Sequence, residues 1–239
     1  MTEPDAVTVP DTIRWLHEEG LIRLAGVADS RSGPIAAYTV EVATGMISAH
    51  PATGAEEGSD VMTLAAEDLP YPVGTPKRLV IVGVTTAEAV LVVDLASSLA
   101  MSINGDKPET AARSWAMQLL LNPEISLTTN SAAVAIKAGP RFRQSFIPGS
   151  GSTIIQIDDR NPPVTTITLN ARTDGPDHLD IAPGGTGEMY LGARFWELRQ
   201  VMTIDDDAWA ALDEQLTGPA PGVSPGPGFG AESHPAVHI

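Results

Sequence analysis

Residues 79–95 read LVIVGVTTAEAVLVVDL and contain the two densest apolar runs of the chain. Each run has the length of a strand and is rich in Val, Ile and Leu, which is typical of strands buried on both faces. The short link at Thr85-Thr86 predicts that the two strands form a hairpin. The stretch therefore predicts the interior of a sheet, and it places the chain among α/β proteins.

A second unit follows in residues 99–129. An apolar run from Leu99 to Ile103 ends at Asn104-Gly105-Asp106 and leads into Glu109 to Leu121, which has no interior Gly or Pro. This segment is predicted to be a helix, and Ile125 to Thr129 is predicted to be the next strand. The whole unit has about the length of a crossover between parallel strands.

The turn at Gly105 stands where a P-loop would lie, between a strand and a helix. A P-loop needs a second Gly, a Lys and a Ser or Thr at fixed distances from the first Gly. The residues at those three positions are Thr110, Ala111 and Ala112. The Lys that would neutralise phosphate and the hydroxyl that would hold Mg²⁺ are thus absent from their places.

The residues around this turn also oppose phosphate binding. Asp106 and Glu109 have the spacing of a capping box, so we expect their carboxylates to bond the free N–H groups of the first helical turn. Pro108 removes one further donor. An anion would then meet negative charge where it needs donors, and hydrolysis of a nucleotide is not expected.

The order of motifs in this region resembles a known family. Val92-Val93-Asp94-Leu95-Ala96 precedes Gly105-Asp106, and a helix with Arg113 and Gln118-Leu119-Leu120 follows. This order is similar to the FtsK/SpoIIIE-type ATPase domains of actinobacterial type VII secretion. It is also similar to nucleotide-free versions of that pattern in large actinobacterial proteins with LysM or transcriptional-activator domains. The resemblance spans residues 78–130, with fainter similarity to residue 204. It implies a degenerate P-loop-like domain with a scaffold role rather than a motor.

The chain is predicted to have three regions. Residues 1–76 form a small α+β region, with a helix from Asp11 to Leu24 capped by Asp11 and a hairpin within Ile35 to Ile47. Residues 77–217 form a degenerate P-loop-like α/β domain with a mixed sheet. The Pro- and Gly-rich residues 218–239 are expected to be a disordered tail.

Further elements are predicted beyond the crossover unit. A short helix is expected at Ser131 to Lys137, and a final helix at Ala208 to Leu216 is expected to begin with the acids Asp205, Asp206 and Asp207. The predicted strands are residues 154–157, 165–170 and 178–181, and strands within 188–204.

The composition excludes several functions. Asp and Glu number 30 against 14 Lys and Arg, for a formal net charge of −16, which argues against general binding of nucleic acid. With no cysteine, the chain has neither disulfides nor thiolate chemistry, and it fits a reducing compartment. The sequence shows neither a signal peptide nor an apolar run long enough to cross a membrane. A cytoplasmic protein without a membrane span is therefore predicted.

No catalytic, cofactor-binding or metal-ligating residue is assigned. Thr153 to Ile157 followed by Asp158-Asp159 has the pattern of a Walker B strand, but without a P-loop the pattern favours a strand that runs into an acidic turn. Asp174, Asp177 and Asp180 lack the spacing of an EF-hand, so no calcium site is predicted. No metal or cofactor is expected.

One local cluster combines basic and aromatic side chains, and we interpret it as a possible docking site. Its residues are Lys137, Arg141, Phe142 and Arg143.

The leading hypothesis for the function of the chain is a non-catalytic interaction or scaffold protein of an actinobacterial secretion or regulatory assembly, with a protein partner and an unspecified oligomeric state. The alternative is an atypical nucleotide-binding module or NTPase-related enzyme that uses Asn104–Lys107 and Asp158–Asp159.

Overall fold

The computed structural model describes residues 7–29, 33–52, 61–71, 78–136, 140–147, 151–171 and 175–217. In these ranges four α-helices accompany one mixed sheet of thirteen strands, which confirms the predicted mixed α/β class. The helices are α1 (Val9–Trp15), α2 (Leu21–Asp29), α3 (Pro108–Leu120) and α4 (Asp206–Thr217). The strands are β1 (Ile35–Glu41), β2 (Ile47–Pro51), β3 (Met62–Leu64), β4 (Leu79–Thr85), β5 (Ala89–Asp94), β6 (Ala100–Gly105), β7 (Ser126–Thr129), β8 (Phe142–Gln144), β9 (Thr153–Asp158), β10 (Thr165–Leu169), β11 (Asp177–Ile181), β12 (Gly187–Leu191) and β13 (Arg194–Val201).

The strands follow the order β3-β2-β1-β5-β4-β13-β12-β11-β6-β10-β9-β7-β8 across the sheet. Strand β6 is parallel to both of its neighbours, β10 and β11, and β7 is parallel to β8. The other neighbours are antiparallel. Because β1 pairs with β5, the region before residue 77 contributes strands to the same sheet as the region after it.

The predicted hairpin of β4 and β5 lies in the interior of the sheet, as its apolar sequence indicates. Alternate residues of the two strands face opposite ways, and every residue of both strands is buried. Ile81 and Val92 belong to a smaller core beneath α1 and α2, whereas Val82 and Leu91 belong to a larger core around α3. The hairpin therefore lies between the two cores and contributes side chains to both.

The N-terminal helical segment begins earlier and ends later than predicted. Thr8, not Asp11, is the N-cap, and Asp11 completes a capping box by accepting from the backbone N–H of Thr8. The prediction of Asp11 as the N-cap is wrong because Asp11 is the third helical residue, whose carboxylate bonds back to the cap in a capping box. A single π-helical turn, Leu16–Gly20, joins α1 to α2, and Gly20 packs directly on the indole ring of Trp15.

Helix α3 is largely buried against the sheet. Most of its side chains are buried, including the indole ring of Trp115, and it packs against β4, β6 and β7. The amide of Gln118 accepts from the backbone N–H of Ile81 at 2.7 Å and donates to its carbonyl at 3.0 Å. Strand β13 pairs with β4 only from Gly83 onwards, so Gln118 takes the place of a neighbouring strand at Ile81.

The segment after α3 differs in part from the predicted crossover. Strand β7 runs parallel to β6, but β10 and β9 lie between them. The predicted helix at Ser131 is wrong, because residues 132–134 form only a turn. There the hydroxyls of Thr129 and Ser131 accept from backbone N–H groups, and such bonds compete with helix formation.

The final helix, α4, is confirmed. Its start is fixed by Asp205, whose carboxylate accepts from the backbone N–H of Ala208 at 2.8 Å. No helix among the described residues is long and apolar enough to cross a membrane. The predicted disordered tail, residues 218–239, lies outside the described residues.

Candidate functional site

A cleft of about 300 Å³ opens beside the N-terminus of α3. Strand β6 ends there at Gly105, and the carboxyl ends of β10 and β7 lie at the same edge because both strands run parallel to β6. Ligands of α/β proteins commonly bind at this position. The lining residues are Pro108, Glu109, Ser131, Ala133, Gly151, Ser152, Thr153, Leu169 and Asn170.

Gly105 serves the packing of strands at this cleft. Its φ is +138°, and a Cβ atom there would lie 2.5 Å from the carbonyl oxygen of Ile181 on the neighbouring strand β11. The backbone N–H of Gly105 donates to the side chain of Asn170 at 3.0 Å. The close approach of β6 and β11 therefore explains the glycine, and no phosphate-binding role is needed to explain it.

The capping box predicted for Asp106 and Glu109 is wrong. The N-cap of α3 is Lys107, and no side chain caps the helix. A box with Glu109 at its third position would require Asp106 as the cap, but the backbone turns into the helix one residue later. The third position is therefore Thr110, and its hydroxyl donates to the carbonyl of Lys107 at 2.8 Å.

Two cations of the described chain lie close to the start of α3, and both are paired with one carboxylate from α4. Asp206 accepts from the guanidinium of Arg113 at 2.7 Å, and the ammonium of Lys107 lies 3.8 Å from the same carboxylate. The hydrogen bond and charge of Arg113 lower the pKa of Asp206, and Lys107 adds to the effect. Among the described residues that line the cleft, none is Lys, Arg or His.

The acidic pair Asp158-Asp159 does not join this cleft. Strand β9 runs antiparallel to β10, so its carboxyl end lies at the opposite edge of the sheet, roughly 23 Å along the strands from the end of β6. The stretches Asn104–Lys107 and Asp158–Asp159 are therefore not brought together, although the alternative hypothesis combines them in one nucleotide site.

Asp159 is instead part of a buried ion pair. Its two carboxylate oxygens accept from Nε and Nη2 of Arg78 at 3.0 and 2.6 Å, and both side chains are almost fully buried. The remaining donors of Arg78 bond the carbonyls of Asn161 and Pro163 and the hydroxyl of Thr165. The pair ties the start of β4 to the loop between β9 and β10.

An apolar groove of about 280 Å³ lies at the opposite end of α3. Leu121 is 66% exposed and Leu216 is 49% exposed, although both are large apolar residues. The remaining lining residues are Met117, Leu120, Ile136, Pro140, Arg141 and Phe142. The groove combines the end of α3, the end of α4 and the start of β8.

The predicted docking residues divide around this groove. Arg141 lines it and donates to the carbonyls of Leu120 and Asn122, so its guanidinium caps the C-terminus of α3. Phe142 also lines it, with its side chain buried in the larger core, and Arg143 is exposed. Lys137 lies outside the described residues.

The acidic residues considered for calcium have structural partners. Asp177 accepts from the hydroxyl of Ser98 and from the backbone N–H of Gly192, and Asp180 accepts from the amide of Asn104. No cluster of three or more metal-ligating side chains occurs within the described ranges. Asp174 lies outside them.

Comparison of the chain with protein-family models, with curated proteins and with solved structures found no match. The resemblance to FtsK/SpoIIIE-type domains therefore stays a prediction. Two residues of the motif that carries it, Arg113 and Gln118, have structural roles here: Arg113 binds Asp206 of α4, and Gln118 binds the backbone of β4.

Sequence reasoning missed the apolar groove itself. The sequence predicts Leu121 at the end of one helix and Leu216 at the end of another, and nothing in the local pattern indicates that they meet. A signal was present in one respect. Leu121 directly follows Leu119 and Leu120, and three consecutive leucines cannot all face the same side of a helix.

Proposed function

We propose that this chain is a non-catalytic protein-interaction module, and that the apolar groove at the end of α3 is its docking site. The observation that carries the proposal is that two exposed leucines, Leu121 and Leu216, line the same concave apolar surface. Single exposed apolar residues are ordinary, whereas contiguous apolar surface commonly marks a binding site.

The chemistry of the other end of α3 supports the same proposal. Lys107 and Arg113 are paired with Asp206, and the described lining of the cleft there carries Glu109 but no cation. A nucleotide would bring several negative charges to this place, and the described lining offers no positive charge to match them. A nucleotide-binding function is therefore the weaker candidate.

The groove fits a protein segment that has an apolar face and an acidic flank. Arg141 lines the groove and the exposed Arg143 follows it, and neither forms an ion pair with a carboxylate in the described part of the chain. The guanidinium of Arg141 is hydrogen-bonded only to backbone carbonyls, so its charge would attract a carboxylate, and the leucines would hold apolar side chains.

A selection from a displayed library of random peptides tests this site. We expect the purified full chain to enrich peptides that combine large apolar residues with Asp or Glu. Leu121→Asp should abolish their binding, because it places a carboxylate inside the apolar groove. The matched control is Ile22→Asp, since Ile22 is 58% exposed on α2, far from the groove, and binding should persist.

Two outcomes would count against the groove as a docking site. The first is enrichment of no peptide that is lost on Leu121→Asp. The second is an equal loss with Ile22→Asp, which would indicate a general effect of the added charge. Circular dichroism of both variants would show that each remains folded.

A nucleotide titration tests the alternative function directly. We expect neither ATP nor GTP to bind at millimolar concentration, with or without Mg²⁺. Saturable binding in the micromolar range that disappears with Lys107→Ala would overturn the proposal in favour of an atypical nucleotide site.

A further inference from the structure

A second surface, distant in sequence from the apolar groove, lies on the outer face of β11, β12 and β13. Alternate residues of these strands bury their side chains in the larger core, and the intervening residues point away from it. We name this surface the aromatic–acidic face. Its residues are His178, Asp180, Glu188, Tyr190, Phe195 and Glu197.

The strand register arranges these six residues in two rows. Tyr190 lies opposite both His178 and Phe195, so an aromatic row crosses the three strands. Glu188 lies opposite both Asp180 and Glu197, so an acidic row runs beside it. Same-face neighbours along a strand are about 7 Å apart, which sets the distance between the rows.

The aromatic row is continuous. The rings of His178 and Tyr190 stack with centroids 4.4 Å apart and an angle of 18° between their planes. The ring of Phe195 is tilted against Tyr190 at 5.0 Å, and Phe195 remains 51% exposed. Exposed aromatic faces attract cations through the negative charge density above the ring.

The acidic row is only partly compensated. Carboxylates directly opposite one another across strands destabilise a sheet, and Glu188 has such a neighbour on each side. The nearest cation on β13, Arg199, pairs with Glu88 at 2.9 Å. A hydrogen bond to Glu188 raises the pKa of the Tyr190 phenol, and the charges of Glu188 and Asp180 raise it further.

We propose that the aromatic–acidic face binds an arginine-containing basic segment of a protein partner. A guanidinium group can stack on Phe195 or Tyr190 and at the same time bond a carboxylate of the adjacent row. A bound cation would also relieve the repulsion between the opposed carboxylates. This site differs from the apolar groove in both place and chemistry, and it does not depend on that groove.

Charge complementarity selects this occupant over others. A nucleic acid would be repelled by three carboxylates, and a second copy of the chain would present the same negative face. Arginine is favoured over lysine because its planar group stacks on rings and forms paired hydrogen bonds with a carboxylate.

The probe for this site is a synthetic peptide of repeated Arg-Gly units, titrated into the full chain by calorimetry. A Lys-Gly peptide of equal length serves as the comparison. We expect the arginine peptide to bind about 3-fold more tightly than the lysine peptide, because a guanidinium stacks on a ring and forms paired hydrogen bonds with a carboxylate, which an ammonium does not. Equal affinity of the two peptides would overturn the inference.

The variants separate this face from the general negative charge of the chain. Phe195→Ala changes no charge, and it should weaken binding of the arginine peptide about 3-fold, whereas Phe146→Ala should have no effect although Phe146 is 86% exposed. Replacement of Glu188 and Glu197 together by Gln should weaken binding about 10-fold. The same replacement at two other exposed acids, Glu18 and Glu124, should change it less than 2-fold.

A loss of the same size in the test and control variants would mean that the peptide binds through overall charge alone, and the proposed face would be rejected. Unchanged affinity in Phe195→Ala would reject it as well. Leu121→Asp should leave the affinity for the arginine peptide unchanged, so the two proposed sites can succeed or fail separately.

Discussion

At the scale of single residues, the best-satisfied polar group of the described structure is the guanidinium of Arg78. Every donor direction of this side chain has an acceptor, and its partner Asp159 is 81 positions away in the sequence. The acidic turn at Asp158-Asp159 was visible in the sequence, but its role was not. Nothing near Arg78 indicates which of 30 acidic residues it would meet.

Arg78→Met should destabilise the protein strongly. The variant leaves the carboxylate of Asp159 buried without its cation, and removal of one partner from a buried pair typically costs about 3–5 kcal/mol. Urea denaturation followed by circular dichroism would measure the change in the free energy of unfolding. Arg199→Met is the matched control, since its partnership with Glu88 is exposed and should contribute under about 1 kcal/mol.

His50 should make stability depend on pH. Burial, helped by the charge of Arg194, lowers the pKa of His50 from 6.5 to about 4. The unfolded chain therefore binds a proton more readily between those values, and stability falls as the pH decreases from about 6.5 towards about 4. Below this window the contribution of His50 no longer changes.

The measurement is the free energy of unfolding of the natural chain and of His50→Gln across that window. Glutamine does not titrate, and its amide can still reach the hydroxyl of Thr39, which bonds the imidazole at 3.1 Å. The difference between the two proteins should shift in favour of the natural chain as pH rises. A difference that stays constant would show that His50 titrates normally.

At the scale of elements, sequence patterns indicate where many of the strands lie but not which distant strands pair with each other. The hairpin of β4 and β5 follows from a local apolar run, and its two strands pair as expected. The position of β13 beside β4 depends on contacts between distant segments, and no local pattern encodes it. The helix expected at Ser131 failed for another reason, because hydroxyl groups there bond the backbone in a turn.

Gln118 links α3 to β4 through two hydrogen bonds, and replacement of its side chain should weaken the packing of α3 on β4. Gln118→Leu keeps a similar volume but leaves the N–H and the carbonyl of Ile81 without this partner. Unsatisfied buried groups cost roughly 1–3 kcal/mol each, so we expect a loss of about 2–4 kcal/mol in the free energy of unfolding. Hydrogen exchange should show faster exchange at the Ile81 amide than in the natural chain. An unchanged exchange rate would contradict the proposed link.

Gly105 tests the close approach of β6 and β11. Gly105→Ala should destabilise by about 2–4 kcal/mol, because the new Cβ would meet the carbonyl of Ile181 and the positive φ adds strain. Gly45→Ala is the control, since Gly45 has a φ of +70° but open space around its Cβ position. It should cost only about 1–2 kcal/mol in thermal or urea denaturation. Equal losses would show that the close contact does not matter.

At the scale of the whole molecule, the sheet makes one structure of two cores. The smaller core lies against α1 and α2 and the larger core surrounds α3, and β1, β4 and β5 contribute side chains to both. The boundary expected near residue 76 therefore separates two stretches of sequence within one sheet. The composition could not reveal this, since it reports charge and apolar content but no pairing between strands.

Because β1, β4 and β5 contribute side chains to both cores, we expect the two cores to unfold cooperatively. Leu24→Ala removes a fully buried side chain from the smaller core, and such changes typically cost about 2–5 kcal/mol. We expect slowly exchanging amides in β10, on the far side of the larger core, to lose protection by a similar free energy. Unchanged protection in β10 would indicate that the two cores unfold independently.

The two ends of the sheet have a consequence for how partners are recognised. The edge strands, β3 and β8, are three residues long, so each offers few free backbone groups to another chain. Short edges of this kind hinder the addition of a foreign strand and the open-ended growth of fibres. Recognition by side chains on exposed faces, rather than extension of the backbone ladder, is the mode of assembly that this architecture favours.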